Sequence, residues 1–207
     1  SHSLNITVPD CVEEGDLLFV DWRFDVGEDE SSIWLNPGPY NDHGVLYIGN
    51  NTFIDPRTEG VITNEYATIY YWTKNLVFIR VKTANDSQRH AAVEWAKNQI
   101  GLQYQDFFKF PWFGLKIANT NLPFPTAHKL YCTELLWAAY YHQGIDIDQN
   151  KWQFPPWVTA EDILHDEDIE VIYSEINNST GIMKPNKGVY IFNNKIMFTI
   201  SKTLIFG

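Results

Sequence analysis

Cys132 stands near the front of "KLYCTELLWAAYYHQGI", residues 129–145, where its type and place at the start of a helix suit it to covalent chemistry. Leu135, Leu136, Ala139, Tyr140 and Gln143 recur at spacings that keep them on one helix face, and Gly144 supplies a stop. The pattern predicts a helix with Cys132 on the inward side of its first turn. Tyr131, just before it, cannot cap the orphan amide protons as Ser, Thr, Asp or Asn would. Free N–H groups and a positive dipole end favour the thiolate, the form that attacks a carbonyl carbon. The plainer use of such a cysteine is as a small buried hydrophobe.

A thiol nucleophile needs a base, and the base needs a polar group to orient it. Among six histidines, His43 is the best base, because it opens the strand pattern "HGVLYIG" with Val45 and Tyr47 continuing its face. His128 lies in a Pro-rich loop, His2 is terminal, and His90, His142 and His165 fall on or beside helix surfaces. Asp42 points to the opposite side from His43, whereas Asp55 sits on the next strand within "TFID". Each also has a structural use: a strand histidine in packing, and Asp55 as the start of a turn before Pro56. Parity sets a condition on the chemical use. A two-residue Asn50-Asn51 turn pairs Leu46 with Asp55 and turns the carboxylate away from His43. A three-residue Gly49-Asn50-Asn51 loop pairs Val45 with Asp55 and puts it on His43's face. The triad therefore predicts the three-residue loop.

Other chemistry finds little support. There is no His-x-x-x-His, Cys-x-x-Cys or EF-hand spacing, no Gly-x-Gly-x-x-Gly and no Walker pattern, so no metal and no cofactor is expected. The 207 residues carry a formal net charge of −11 with no Lys/Arg cluster, which argues against nucleic acid as a partner. No apolar run approaches the ~20 residues of a membrane-spanning helix. Two cysteines, Cys11 and Cys132, are too few to staple the fold, and both are expected free. Asn-x-Ser/Thr sequons at Asn5, Asn50, Asn85, Asn177 and Asn178 are compatible with an extracytoplasmic or secreted protein.

The elements that must hold these residues follow from pattern. "GDLLFVDWRF", "HGVLYIG", "NTFID", "LVFIRVK" and "IEVIYSEI" read as strands, the third ending at Pro56. "SQRHAAVEWAKNQIG" reads as an amphipathic helix from Ser87 to Gly101, with Ala91, Trp95, Asn98 and Ile100 bracketing its core side. "VTAEDIL" begins a short helix with Thr159 as N-cap and Asp162 reaching back. The long acidic loop 25–41 carries Trp34 and Tyr40 among Pro and Gly, which suits the rim of a substrate cleft. Residues 1–176 read as one α+β domain, an antiparallel sheet packed on the two main helices. Residues 177–207 read as a β-hairpin extension, possible start of a further region.

The order histidine on a strand, polar residue on the next strand, then cysteine opening a helix is the papain-like order reversed. With "EEGDLLFV", "DHGVLYIGNNTFID", "AAVEWAKNQIGLQY", "LYCTELLWAAYYHQGID" and "VTAEDILHDEDIEVI", it resembles the circularly permuted branch of the NlpC-like superfamily, YiiX type. Lecithin:retinol acyltransferase-like proteins are relatives of that branch. The motifs span Glu13 to Tyr173. The resemblance implies a circularly permuted papain-like fold with Cys132 as nucleophile, His43 as base and Asp55 as third polar group, where many relatives carry Glu, Gln or His. The expected function is a cysteine hydrolase (a peptidase or amidase) cleaving an amide, in a cell-envelope peptide, through an acyl-cysteine. The Cys132 N–H would bind the oxyanion, assisted by Tyr131 or by Tyr104 in "GLQY". The rivals are a lipid acyltransferase or esterase with the same triad, and a binding module that has lost the chemistry.

Overall fold

Apolar runs broken by Gly, Asn and Asp build the frame of the protein. The computed structural model describes residues 6–22, 43–105, 129–151 and 157–176, and the backbone of 189–192 and 195–198. In chain order the elements begin with β1 (Leu17–Trp22), β2 (His43–Tyr47), β3 (Thr52–Arg57), β4 (Gly60–Glu65), α1 (Tyr66–Trp72), β5 (Thr73–Val81) and α2 (Asp86–Lys97). They continue with β6 (Gln103–Tyr104), β7 (Lys129–Leu130), α3 (Cys132–Tyr141), α4 (Ala160–Leu164), β8 (Ile169–Ile176), β9 (Val189–Phe192) and β10 (Lys195–Phe198). Six strands form one antiparallel sheet in the order β4-β3-β2-β1-β5-β8. β9 and β10 pair antiparallel, and β6 and β7 pair parallel.

Alternation along the strands divides two cores. Leu17, Phe19, Leu46, Ile54, Val77 and Ile79 face α2 and α3, meeting Val93, Leu135, Leu136 and Tyr140. Leu18, Val20, Val45, Phe53 and Phe78 face the other way, covered by Tyr66 and Ile69 of α1 and by Val12. Burying each of these large apolar side chains contributes about 1.5–3 kcal/mol. α3 approaches β2 so closely that a Cβ on Gly44 would stand 2.8 Å from Leu136 Cδ1 and 2.9 Å from Phe19 Cε1. The Tyr140 hydroxyl donates to Gly15 O at 2.6 Å and ties the same helix to the entrance of β1.

Several sequence expectations need correction. α2 starts at Asp86 behind an Asn85–Gln88 capping box and ends at Lys97, not Gly101. Its buried residues are Ala92, Val93 and Ala96, while Ala91 and Trp95 are only half-buried and Asn98 and Ile100 are exposed. The small residues are buried because they allow α2 to lie against α3, leaving the longer side chains to its flank. α3 is not one-faced: every residue from Thr133 to Tyr140 is buried. Pro56 does not end its strand but pairs with Val61, and a tight turn at Thr58-Glu59 leads into β4. Proline lacks an N–H to give the ladder, yet here the strand runs on to Arg57. β4 and α1 were not anticipated. The α4 capping box at Thr159–Asp162 matches expectation.

Candidate active site

The loop joining β2 to β3 decides where Asp55 points. Ile48 N–H donates to Thr52 O at 3.0 Å and Thr52 N–H to Gly49 O at 2.9 Å, so the loop is the three residues Gly49-Asn50-Asn51. All three have positive φ, at 91°, 52° and 57°, a backbone that Gly and Asn adopt at low cost. The odd count keeps Asp55 on the face of His43. His43 Nε2 lies 2.6 Å from Asp55 Oδ1, and Asp55 is fully buried.

Cys132 is the first residue of α3, and its N-cap Tyr131 makes no side-chain capping bond. The half-buried thiol takes hydrogen bonds from the backbone N–H groups of Gly44 and Thr133 and bonds the His43 imidazole. With Nε2 committed to Asp55, the ring nitrogen left for sulfur is Nδ1. Strand alternation places His43 on the face opposite α3, so the contact needs an opening in the sheet. β2 pairs with β3 at Leu46↔Ile54 and Tyr47↔Phe53, and the register does not extend to His43 and Gly44. At that end the thiol takes the Gly44 N–H.

Two partners of Asp55 escaped the sequence reading. Arg57 Nε donates to Asp55 Oδ2 at 2.6 Å and Asn64 Nδ2 donates to the same oxygen at 3.0 Å. Arg57 lies two residues after Asp55 and therefore on its face, a signal available in "IDPR" once the strand is known to continue through Pro56. Asn64 needed β4. Trp22, the last residue of β1, stacks on the His43 ring at 5.6 Å between centroids and also meets the Arg57 guanidinium at 5.5 Å.

The electrostatics follow from these contacts. Burial opposes a charged His43, but the bonds to Asp55 and Cys132 outweigh it and raise the imidazole from 6.5 to about 9. Burial likewise opposes an ionised Asp55, yet His43, Asn64 and Arg57 lower it to about 2. The Cys132 thiol, also disfavoured as an anion by burial, is nevertheless lowered by His43 and by the Gly44 and Thr133 N–H groups. The arrangement favours a thiolate beside an imidazolium over the neutral pair, next to a buried carboxylate. Cys11 behaves oppositely: burial raises its thiol and neighbouring Asp16 adds to the effect. Both cysteines are free.

The remaining sequence candidates separate. Tyr131 is buried and its hydroxyl accepts the Val158 N–H at 3.0 Å, so it anchors the segment before α4. Tyr104 is half-buried and in register with Leu130, two residues before the nucleophile. Trp34 and Tyr40 lie outside the described residues, as does His128. Among the described residues no group of three or more His, Cys, Asp or Glu stands together to hold a metal ion. No helix there is long and apolar enough to cross a membrane.

No family model matches the chain, and no curated protein matches it in sequence. Its fold is similar to the crystal structure of the metalloprotein YiiX from Escherichia coli O157:H7, with a TM-score of 0.59 at 14% identity. The likeness covers 79% of this chain and 98% of that one. At such low identity it supports a YiiX-like α+β fold.

Proposed function

We propose that this chain is a cysteine hydrolase cleaving an amide bond, a peptidase or amidase on a circularly permuted papain-like fold of the YiiX type. The observation that carries this reading is the unbroken contact chain from Cys132 through His43 to the buried Asp55. A merely structural cysteine has no use for an imidazole, two N–H groups and a lowered pKa.

The Cys132 thiolate adds to the substrate carbonyl carbon, and the carbonyl electrons move onto oxygen. Thr133 and Gly44 N–H groups hold the sulfur, so the Cys132 N–H at the uncapped start of α3 remains to bind the oxyanion. As the tetrahedral intermediate collapses, the His43 imidazolium gives its proton to the leaving amine. Water then adds to the acyl-cysteine, the neutral imidazole takes its proton, and the acid departs as the thiolate reforms. Asp55 keeps the ring oriented and favours the imidazolium; it does not itself take the proton. The name of YiiX implies a metal, but the described residues here offer no fitting donor set, since Cys132 and His43 bond each other and Asp55 is held by three donors.

The substrate class proposed is a peptide of the cell envelope, handled outside the cytoplasm. The purified protein and its Cys132→Ser variant, offered cell-wall stem peptides, simple peptide amides and lipid esters, should show an acyl adduct on Cys132 and amide turnover in the parent alone. Equal turnover by the Ser variant would sink the reading. Acylation from lipid esters only would assign the same triad to acyl transfer.

A further inference from the structure

Gln105 is the residue, among those described, whose side chain has both of its polar atoms buried and without a hydrogen-bond partner. It is 3% exposed. Native proteins rarely leave such groups unbonded, and those that persist call for a functional explanation.

Its position supplies one. Gln105 N–H donates to Leu130 O at 3.1 Å, and the parallel register Tyr104↔Leu130 sets Gln105 beside Tyr131, directly ahead of Cys132. The other flank of the same short segment meets the hairpin that carries Asp55. Val61 N–H donates to Leu102 O at 2.9 Å, Gly101 N–H donates to Val61 O at 2.8 Å, and neighbouring Gly60 pairs with Arg57. Gln105 thus directly follows the short strand β6, in the segment bridging the carboxylate hairpin and the start of the nucleophile helix.

We propose that the Gln105 carboxamide is the specificity-determining group of this site, receiving one C=O and one N–H of a peptide-type amide in the substrate. This rests on the cysteine-hydrolase reading and names the group that makes the substrate a peptide. The carboxamide is neutral, so its complement is not an ion. Nε2 needs an acceptor and Oε1 needs a donor. An amide offers both. An ester offers only the acceptor, leaving Oε1 orphaned, and a site built around a substrate N–H discriminates strongly against the analogue lacking it.

Two measurements test this, each against Gln105→Met, which keeps length and loses both polar atoms. In the first, the side-chain NH2 signals of Gln105, identified by their loss in the variant, are followed by 15N NMR during titration with N-methylacetamide or methyl acetate. They should move with the amide and not with the ester; equal response to both, or none to either, overturns the proposal. This arm needs no reactive thiol, so it decides even if Cys132 proves inert. In the second, alkylation of Cys132 by N-methyl bromoacetamide and by methyl bromoacetate is compared, with Cys11 in the same molecule setting the intrinsic ratio. The amide preference at Cys132 should exceed that at Cys11 by about tenfold or more and vanish in the variant. Thermal unfolding of the variant should stay level or rise, because no hydrogen bond is lost. A fall of several degrees, with both reagents slowed alike, would mark a packing role and overturn the assignment. Slow reaction of Cys132 with both reagents in the parent, beside an intact amide response by NMR, would count against the nucleophile and not against Gln105.

Discussion

Two thiols in one chain with opposite perturbations make a built-in control. His43, Gly44 and Thr133 lower Cys132, whereas burial and Asp16 raise Cys11. At pH 6 an ordinary thiol of pKa ~8.5 is well under 1% thiolate, while a cysteine paired with imidazolium reaches the ~3.5–7.5 range. Iodoacetamide at pH 6 should therefore modify Cys132 at least ~10-fold faster than Cys11, as mass spectrometry of the two tryptic peptides would show. Equal rates would remove the nucleophile. Arg57 supplies a second prediction, because it holds Asp55 without touching the sulfur. Arg57→Gln leaves Asn64 and His43 as the donors to the carboxylate, so Asp55 rises, and the loss of a positive charge from the site raises the Cys132 thiol as well. The acid limb of the Cys132 alkylation profile should shift to higher pH by about one unit, and Arg57→Lys should restore part of it. A profile unmoved by either change would make Arg57 a surface residue that merely touches Asp55.

Elements place these side chains, and the sequence indicated some of them better than others. Types and spacing singled out Cys132, His43 and Asp55 as candidates, and requiring Asp55 on the face of His43 foretold the three-residue Gly49-Asn50-Asn51 loop, because the side-chain period of a strand is strictly two. Arg57 and Asn64 are illegible in the sequence for one shared reason: proline signals a strand stop, and that signal hides β4 and the strand end that carries Arg57. The bond between sulfur and the Gly44 N–H depends on where the β2–β3 ladder stops, and no local pattern encodes that. Gly44 itself carries the next prediction. A methyl group there meets Leu136 and Phe19 at under 3 Å, both in the packed core between β2 and α3. Gly44→Ala should cost about 1–3 kcal/mol by denaturant unfolding. It should also slow Cys132 alkylation, since pushing α3 off β2 separates the thiol from Gly44 N–H and from His43. Lost stability with full thiol reactivity would mean that α3 pivots about its first turn.

The molecule as a whole sets the pH range over which the site persists. Its formal net charge of −11 at pH 7 is a source of self-repulsion in the compact state. Buried Asp16 and Asp166 add to it, since burial raises both above their usual value. A carboxyl group raised in the folded state binds more protons there than in the unfolded chain, so its penalty eases as pH falls. Their contribution to stability should therefore grow as pH falls through their raised folded values. Asp55 has the opposite sign. It is lowered from 3.8 to about 2, so its contribution is present above the unfolded value and lost as pH falls through the folded one. His43 is protonated in both states in that window, so the loss between pH ~4 and ~2 belongs to the carboxylate and amounts to about 2 kcal/mol. Unfolding free energies from urea titrations across pH 7 to 2 should thus rise, pass a maximum and fall. In Asp55→Asn the acid limb should be shallower by about that 2 kcal/mol, though the variant starts less stable, because the His43 and Arg57 charges lose their partner. An acid limb of unchanged slope would show that Asp55 is not held ionised in the folded protein, and the ordering of charge from Arg57 to Cys132 would fail with it.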